Sequence, residues 1–566
     1  MEFTVLDTDR GTALTGTPWP EYPRPSLRRD SFVNLNGGWD FAVGDPDQLP
    51  EHFDRTIRVP FPPESKLSGI GQVFPEEQAL YYRKNFTLPE EFVGRRVLLH
   101  FGAVDQEAAV FLNGKKLGIH TGGYQAFSYE ITDALERENT LLVRVRDRLS
   151  QRILPYGKQT RKRGGMWYTP VSGIWQTVWM EAVGENYIRS IQVETGENWA
   201  RLYLEGITDG QATVRTPDGD LNLTISDGML EVQLDRPRLW CPEDPYLYEV
   251  HVETAEDRID TYFALRTLET KLVRGFPRLC LNGKPYFFHG VLDQGYWSDG
   301  LFTPVSPACF EDDILAMKRL GFNTLRKHIK VEPELYYYAC DRLGMVVFQD
   351  MVNNGPYRYI RDTVLPTLGF QKKDDRRLHR DPVIRRQFRL AMEQTVEQLR
   401  KHPCICYWTI FNEGWGQFDS QREYEFLKTL DDTRFVDTAS GWFRWGDSDV
   451  ESLHIYFHPI RLLKSQRPQV LSEFGGYVYK VQDHSFNRNK TYGYKLFDRQ
   501  EDFMDALERL YREGVLEAKK KGLSAAIYTQ LSDVEDETNG IMTYDRKICK
   551  VDEKRMNLLA RALMEE

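Results

Sequence analysis

Two glutamates stand at the ends of apolar runs, each with glycine close behind. One run reads Tyr407-Trp408-Thr409-Ile410-Phe411-Asn412-Glu413 and continues Gly414-Trp415-Gly416. The other reads Val470-Leu471-Ser472-Glu473 and continues Phe474-Gly475-Gly476. A bulky strand that stops at a carboxylate puts that group where the strand end meets solvent, and glycine lets the backbone turn close to a ligand. Singly, each glutamate reads equally well as a solvated strand-end acid or a helix cap. Facing each other across one pocket, two carboxylates are the equipment for glycoside hydrolysis. One is protonated to release the leaving oxygen; the other is ionised to attack the anomeric carbon or to activate water. Like-charge repulsion helps keep one of them protonated, so the division of labour needs no metal and no cofactor. Asn412 offers an amide that can bond a sugar hydroxyl.

Bringing residues 413 and 473 together requires a particular architecture. From about residue 271, apolar strand-like runs alternate with amphipathic helix patterns, the signature of a parallel β/α fold. The strand candidates are 286–292, 322–326, 345–349, 405–411, 435–438, 452–456, 470–473 and 525–530. Helix patterns fall at 309–320, 333–343, 382–401, 422–430 and 502–521, with a last one at 552–564. Eight strands with helices outside predict a (β/α)8 TIM barrel over 271–566, with its catalytic groups at the C-terminal strand ends. The two glutamates then close strands four and seven. The same filter selects Asp293 and Gln294 after strand one, Arg326 and His328 after strand two, and Trp415 beside Glu413. It adds His454 and Tyr456 from strand six, and Tyr528 and Gln530 from strand eight. Such a mixture suits the hydroxyls and the C–H face of a sugar ring. Each is as readily a structural residue, and Arg326 reads equally as a buried group holding Glu413 or Glu473.

Residues 1–185 have a different texture: short alternating runs at 96–101, 108–112 and 141–146. Asn113-Gly114 follows the second of these, a hairpin signal because both turn positions want positive φ. This is a β-sandwich. Residues 186–270 continue with strands at 188–193, 212–215, 221–225 and 246–252, which suits a small immunoglobulin-like sandwich.

Composition narrows the partners. The chain of 566 residues carries a net charge of −10, with a pI near 5.7, which disfavours nucleic acid or anionic lipid as partner. The most apolar run, 404–411, is far short of the ~20 residues a membrane span needs. The start has neither a basic nor an apolar leader segment, and seven scattered cysteines read as reduced thiols, so a cytoplasmic protein is expected. Cys404 and Cys406 read as buried packing. The acidic run 533–537 reads as a solvated loop rather than a cation site, and Arg161-Lys162-Arg163 as a solvated basic loop. No metal site, phosphate loop or dinucleotide fingerprint stands out. The expected partner is a carbohydrate, with a homo-oligomer left open.

The sequence resembles glycoside hydrolase family 2, the family of β-galactosidases, β-glucuronidases and β-mannosidases. Residues 34–41 (Asn-Leu-Asn-Gly-Gly-Trp-Asp-Phe) are similar to that family's opening. Residues 122–127 (Gly-Gly-Tyr-Gln-Ala-Phe) and 172–175 (Ser-Gly-Ile-Trp) are similar to its sugar-binding-domain signatures. Asn412-Glu413 resembles its acid/base motif, and 472–476 its nucleophile motif. The resemblance implies a jelly-roll sandwich ahead of the other two domains, and retention of configuration through a covalent glycosyl-enzyme. Glu473 would be the nucleophile and Glu413 the acid, then the base. Residues 290–297 look like a less studied branch of the family. Family β-glucuronidases grip the sugar carboxylate with an Asn-x-Lys motif shortly after strand eight. Here that stretch reads Glu537-Thr538-Asn539-Gly540, with no lysine. A neutral β-glycoside, β-galactoside first, is therefore expected from an exo-acting enzyme. The alternatives are a β-glucuronidase with its carboxylate grip elsewhere, for instance Arg488 or Lys490, and a catalytically silent glycan-binding protein.

Overall fold

The structure is a computed structural model and describes residues 6–367 and 374–565. Its first strands form two facing antiparallel sheets. The six-stranded sheet runs Arg55–Val59, Gly37–Gly44, Ala79–Thr87, Glu138–Arg146, Glu107–Leu112, Lys115–Thr121. The four-stranded sheet runs Val33–Asn34, Val178–Val183, Arg96–Phe101, Phe127–Glu130. Along Glu138–Arg146, Asn139, Leu141, Val143 and Val145 are buried while the residues between them are not. That is the period of two expected of a sheet with one face on a core. Trp39, Phe41, Tyr82 and Val110 meet Leu99, Phe101 and Met180 from the opposite sheet. Asn113 and Gly114 both take positive φ, 51° and 79°, in the turn between the last two strands of the larger sheet.

The next seven strands make a second, smaller sandwich. A three-stranded sheet (Ser190–Thr195, Trp199–Glu205, Met229–Gln233) packs on a four-stranded one (Gly219–Ile225, Gly210–Thr216, Tyr248–Glu253, Arg258–Phe263). Leu202, Val214, Val232, Tyr248 and Phe263 fill the space between.

Eight parallel strands follow: one, Phe288–Asp293; two, Thr324–Lys327; three, Val346–Asp350; four, Ile405–Asn412; five, Phe435–Ser440; six, Glu451–Ile455; seven, Gln469–Gly475; eight, Leu523–Thr529. Backbone ladders join them in the order five, four, three, two, one, eight, seven, six. The remaining seam, between strands five and six, is laced by side chains. Ser440 Oγ lies 2.9 Å from both His454 Nε2 and Ser472 Oγ, and 3.3 Å from Ser452 Oγ. Strands four and seven are buried along their whole length, as expected of strands covered by barrel interior on one face and helices on the other. Phe411 of strand four, for example, stacks on Phe388 of helix Pro382–Leu399, with ring centroids 5.0 Å apart. The helix expected over 502–521 is broken by a π-helical turn, Leu510–Val515. That turn places the Tyr511 hydroxyl 2.9 Å from His289 Nε2 of strand one.

The N-terminal sandwich reaches across the barrel mouth with the loop that follows Glu138–Arg146. The Tyr156 N–H donates to the Asn353 carbonyl (3.0 Å), and its hydroxyl to the Gly355 carbonyl (2.9 Å). Asn354 Nδ2 returns a bond to the Ile153 carbonyl at 2.8 Å. Cys404 and Cys406 are buried and all seven cysteines are free thiols. Among the described residues, no helix is long and apolar enough to cross a membrane.

Candidate active site

Strands four and seven deliver Glu413 and Glu473 to the same end of the barrel, with a carboxylate oxygen of each within 4.8 Å of the other. Glu413 turns out of strand four at φ 49°, a left-handed conformation that residues with a Cβ seldom adopt. Its N–H is fixed by the Ser440 carbonyl at 2.9 Å. Gly414 follows at φ 75°, and a Cβ there would stand 2.4 Å from the Phe443 ring, so this turn demands glycine. His454 sits between the glutamates. Its Nδ1 is 2.9 Å from Glu413 Oε1 and its Nε2 is 3.6 Å from Glu473 Oε1.

Glu473 is held by a dense set of donors. Arg326 is fully buried and spends its fork on four acceptors: Asp350 Oδ1 (3.0 Å), Glu473 Oε1 (3.0 Å), the Ser472 carbonyl (3.1 Å) and Asn412 Oδ1 (2.9 Å). The Tyr456 hydroxyl donates to Glu473 Oε2. Burial would raise the Glu473 pKa, but the neighbouring His454, Arg326 and His328 and the Tyr456 bond outweigh it and hold the carboxyl at about 2. A carboxylate depressed in this way favours the folded state above its unfolded pKa. That contribution is lost as the pH falls through the folded value. Arg326→Met should therefore act twice. Leaving Asp350 and Glu473 buried without their cation should cost about 3–5 kcal/mol in thermal or denaturant unfolding. The Glu473 pKa should rise, moving the acid limb of the pH–rate profile to higher pH. An unchanged acid limb would show that Arg326 does not govern Glu473.

The other residues expected at strand ends divide. His328 is buried, with Nδ1 2.7 Å from Asp350 Oδ2; burial lowers its pKa more than Asp350 raises it. Tyr456 stacks on Tyr494, ring centroids 3.8 Å apart. Trp415 lies beside Trp167 of the N-terminal loop (5.5 Å) and Tyr357 (6.0 Å). Asn412 spends its oxygen on Arg326 and keeps its Nδ2 without a protein partner.

Three candidates are placed elsewhere. Asp293 pairs with Lys327 at 2.6 Å, in a buried ion cluster with Glu332 and Lys330 that has no contact with either glutamate among the described residues. Tyr528 packs on Phe474 and on Gly475, toward Leu510 of the π-helical turn, on the helix side of the sheet. Gln530 is fully buried in an amide chain, accepting from Gln294 (2.8 Å) and donating to Asn539 (2.9 Å). The strand-end filter does not see these contacts, because residues alternate between the two faces of a strand and because a barrel interior needs its own paired charges.

The acidic run is not solvated. Asp533, Glu535, Asp536 and Glu537 are all buried. Asp533 binds Lys550 at 2.5 Å; Glu535 and Asp536 face Arg163 at 3.3 and 3.4 Å. Glu537 accepts from the Tyr168 hydroxyl and from Asn539 Nδ2 (3.1 Å). Arg163 and Tyr168 both belong to the N-terminal loop, so one residue of the basic cluster ties the sandwich to the barrel, while Arg161 and Lys162 are exposed as expected. Arg488 and Lys490, the sequence's candidates for a carboxylate grip, are exposed. Sequence reasoning missed Asp350 by ending strand three one residue early. It missed Lys158, Trp167 and Tyr168 because they lie about 250 residues before Glu413 and about 310 before Glu473, in another domain.

Models of the domains of glycoside hydrolase family 2 match the chain in succession: a galactose-binding domain-like model over 70–208, a second family 2 model over 192–266, and the TIM barrel domain over 273–548. The chain belongs to glycoside hydrolase family 2. It is therefore a glycoside hydrolase acting on carbohydrate, a β-glycosidase of that family. A β-glucuronidase of Bacteroides fragilis is 24% identical over 92% of this chain and 80% of its own length. A β-galactosidase of Thermoanaerobacter pseudethanolicus is also 24% identical, over 81% of this chain and 63% of its own length. Among solved structures, a β-D-glucuronidase from Dictyoglomus thermophilum superposes with a TM-score of 0.73 at 17% identity, covering 96% of this chain and 99% of that one. A β-galacturonidase from Eisenbergiella tayi, solved with galacturonate, gives 0.68 at 17% identity, covering 95% and 98%. At these identities the solved structures attest the family 2 architecture, not the sugar.

Proposed function

We propose that this family 2 enzyme is a retaining, exo-acting β-glycosidase that hydrolyses neutral glycosides by double displacement. The observation that carries the reading is the approach of Glu413 and Glu473, whose nearest oxygens lie within 4.8 Å. Retaining enzymes separate their carboxyl groups by about 5–5.5 Å, whereas inverting enzymes leave about 6.5–9.5 Å for a water. Glu473, kept ionised by Arg326 and Tyr456, attacks the anomeric carbon while Glu413 donates its proton to the departing oxygen. Glu413, now a carboxylate, takes a proton from water as that water attacks the glycosyl-enzyme and frees Glu473. The exo assignment rests on enclosure: the Glu413 and Glu473 side chains are only 12% and 7% exposed, beneath the N-terminal loop and the segment after strand seven.

The neutral sugar rests on charge. Glu413, Glu473 and Glu537 all act on Lys158, and the nearby Arg326 is already committed to four acceptors. A uronate would bring one more carboxylate into that company. Among neutral sugars galactose comes first, since one of the two relatives described above is a β-galactosidase. With a nitrophenyl glycoside panel, a neutral β-glycoside should give a higher kcat/KM than the β-glucuronide or β-galacturonide. Faster turnover of either uronide than of every neutral β-glycoside would overturn the sugar assignment and leave the double displacement standing.

A further inference from the structure

Lys158 lies on the N-terminal loop where it crosses the barrel mouth, its main chain fixed by the Tyr168 N–H donating to the Lys158 carbonyl at 3.0 Å. The residue is 7% exposed, and its ammonium stands 4.5 Å from the ring centroid of Trp415 and 5.9 Å from that of Trp167. Among the described residues, no carboxylate, carbonyl or hydroxyl is within hydrogen-bond or ion-pair distance of it. Burial pulls its pKa down, while Glu537, Glu473 and Glu413 pull it back up. Lys158 is thus in the field of three carboxylates and bonded to none. A buried ammonium without an acceptor is costly, and the acceptor it lacks is one that a ligand can bring.

Glu537 is its natural counterpart. Each Glu537 oxygen already accepts one protein bond, from Tyr168 or from Asn539, and each retains capacity for a second. Tyr168 holds the two near each other, its N–H donating to the Lys158 carbonyl and its hydroxyl to Glu537; a cation and an anion so placed, without bridging each other, can read two neighbouring hydroxyls, the ammonium donating to one and the carboxylate accepting from the other. We propose that Lys158, supplied by the N-terminal sandwich, is a specificity-determining residue that binds a hydroxyl of the neutral glycone, with Glu537 binding the adjacent one. This rests on the neutral-sugar reading above. The sandwich then does more than buttress the barrel: it completes the sugar site.

The test uses the full chain and the nitrophenyl β-glycoside it cleaves best, together with the monodeoxy analogues of that sugar. In the wild type, one deoxy analogue should lose about 10²-fold in kcat/KM, the effect of removing a hydrogen bond to a charged group. Lys158→Met should lose about as much on the parent sugar and nothing further on that same analogue, while the penalties at the remaining positions persist. Glu537→Gln should show the same non-additivity at the adjacent hydroxyl. Thermal melts accompany each variant; where Lys158→Met does not fold, Lys158→Arg keeps the charge, displaces the donors and carries the same comparison. Identical deoxy penalties in wild type and variant, with normal turnover of the neutral glycoside, would overturn the Lys158 assignment alone. A wild type that prefers a uronide, with the preference erased in Lys158→Met, would make Lys158 a carboxylate grip and overturn the neutral reading too. A wild type that cleaves no glycoside of the panel would overturn the proposed function and this inference together.

Discussion

Glu473→Ala should lose activity toward every glycoside, on the order of 10⁴- to 10⁶-fold, because no other group can form the glycosyl-enzyme. Arg326 fixes Glu473 at 3.0 Å, Tyr456 donates to its other oxygen, and the strand beneath it is wholly buried. The attacking oxygen therefore has little freedom to be replaced by a water in the same place. Removing the side chain opens the face of the sugar opposite the leaving group. Added azide should enter there and, with an activated aryl β-glycoside, give the α-glycosyl azide. Product analysis by NMR checks the anomer. Residual turnover within about 10-fold of wild type would remove Glu473 from the chemistry.

Glu413→Ala should fail differently. Proton donation matters most when the leaving group is a poor one, so an alkyl glycoside should lose about 10²–10⁴-fold. The glycosylation step on a dinitrophenyl glycoside should be nearly unaffected, because that phenolate departs unaided. Hydrolysis of the glycosyl-enzyme slows without its general base, and azide, which needs none, should restore turnover and return the β-glycosyl azide. The anomer of the trapped product thus reports which carboxylate was removed. The same anomer from both variants, or exchanged anomers, would contradict the roles. His454, 2.9 Å from Glu413 and within 3.6 Å of Glu473, loses one partner in either variant, so pH–rate profiles should accompany both.

Much of this architecture is legible in the sequence, for physical reasons that differ by region. The eight strands read clearly because a parallel strand buried on both faces is a nearly continuous apolar run, and Ile405–Asn412 is the clearest of them. Glu413 and Glu473 are legible only as a pair, because one strand-end carboxylate has ready structural explanations and two at the ends of strands of one barrel have fewer. What was illegible is what depends on side-chain direction and on chain crossing. Asp293 and Tyr528 sit at strand ends but spend their contacts on a buried ion cluster and on the helix layer. The acidic run 533–537 looked solvated, since nothing local pairs it; its cations, Arg163 and Lys550, come from another domain and from beyond strand eight. Lys158 carries no motif at all. Only the fold shows that a loop of the first sandwich lies over the mouth of the barrel, and only there does an unremarkable lysine acquire a role.

The central claim, that Glu473 attacks the sugar and holds it, can be tested by trapping. A 2-deoxy-2-fluoro β-glycoside of the preferred sugar with a dinitrophenolate leaving group slows both steps through its fluorine. The leaving group restores only the first, so the glycosyl-enzyme accumulates. Intact-mass analysis should show one fluoroglycosyl unit per chain, and fragmentation of the labelled peptide should place it on Glu473. A label on Glu413, or steady turnover of the parent glycoside with no labelled species from its fluoro analogue, would contradict the account.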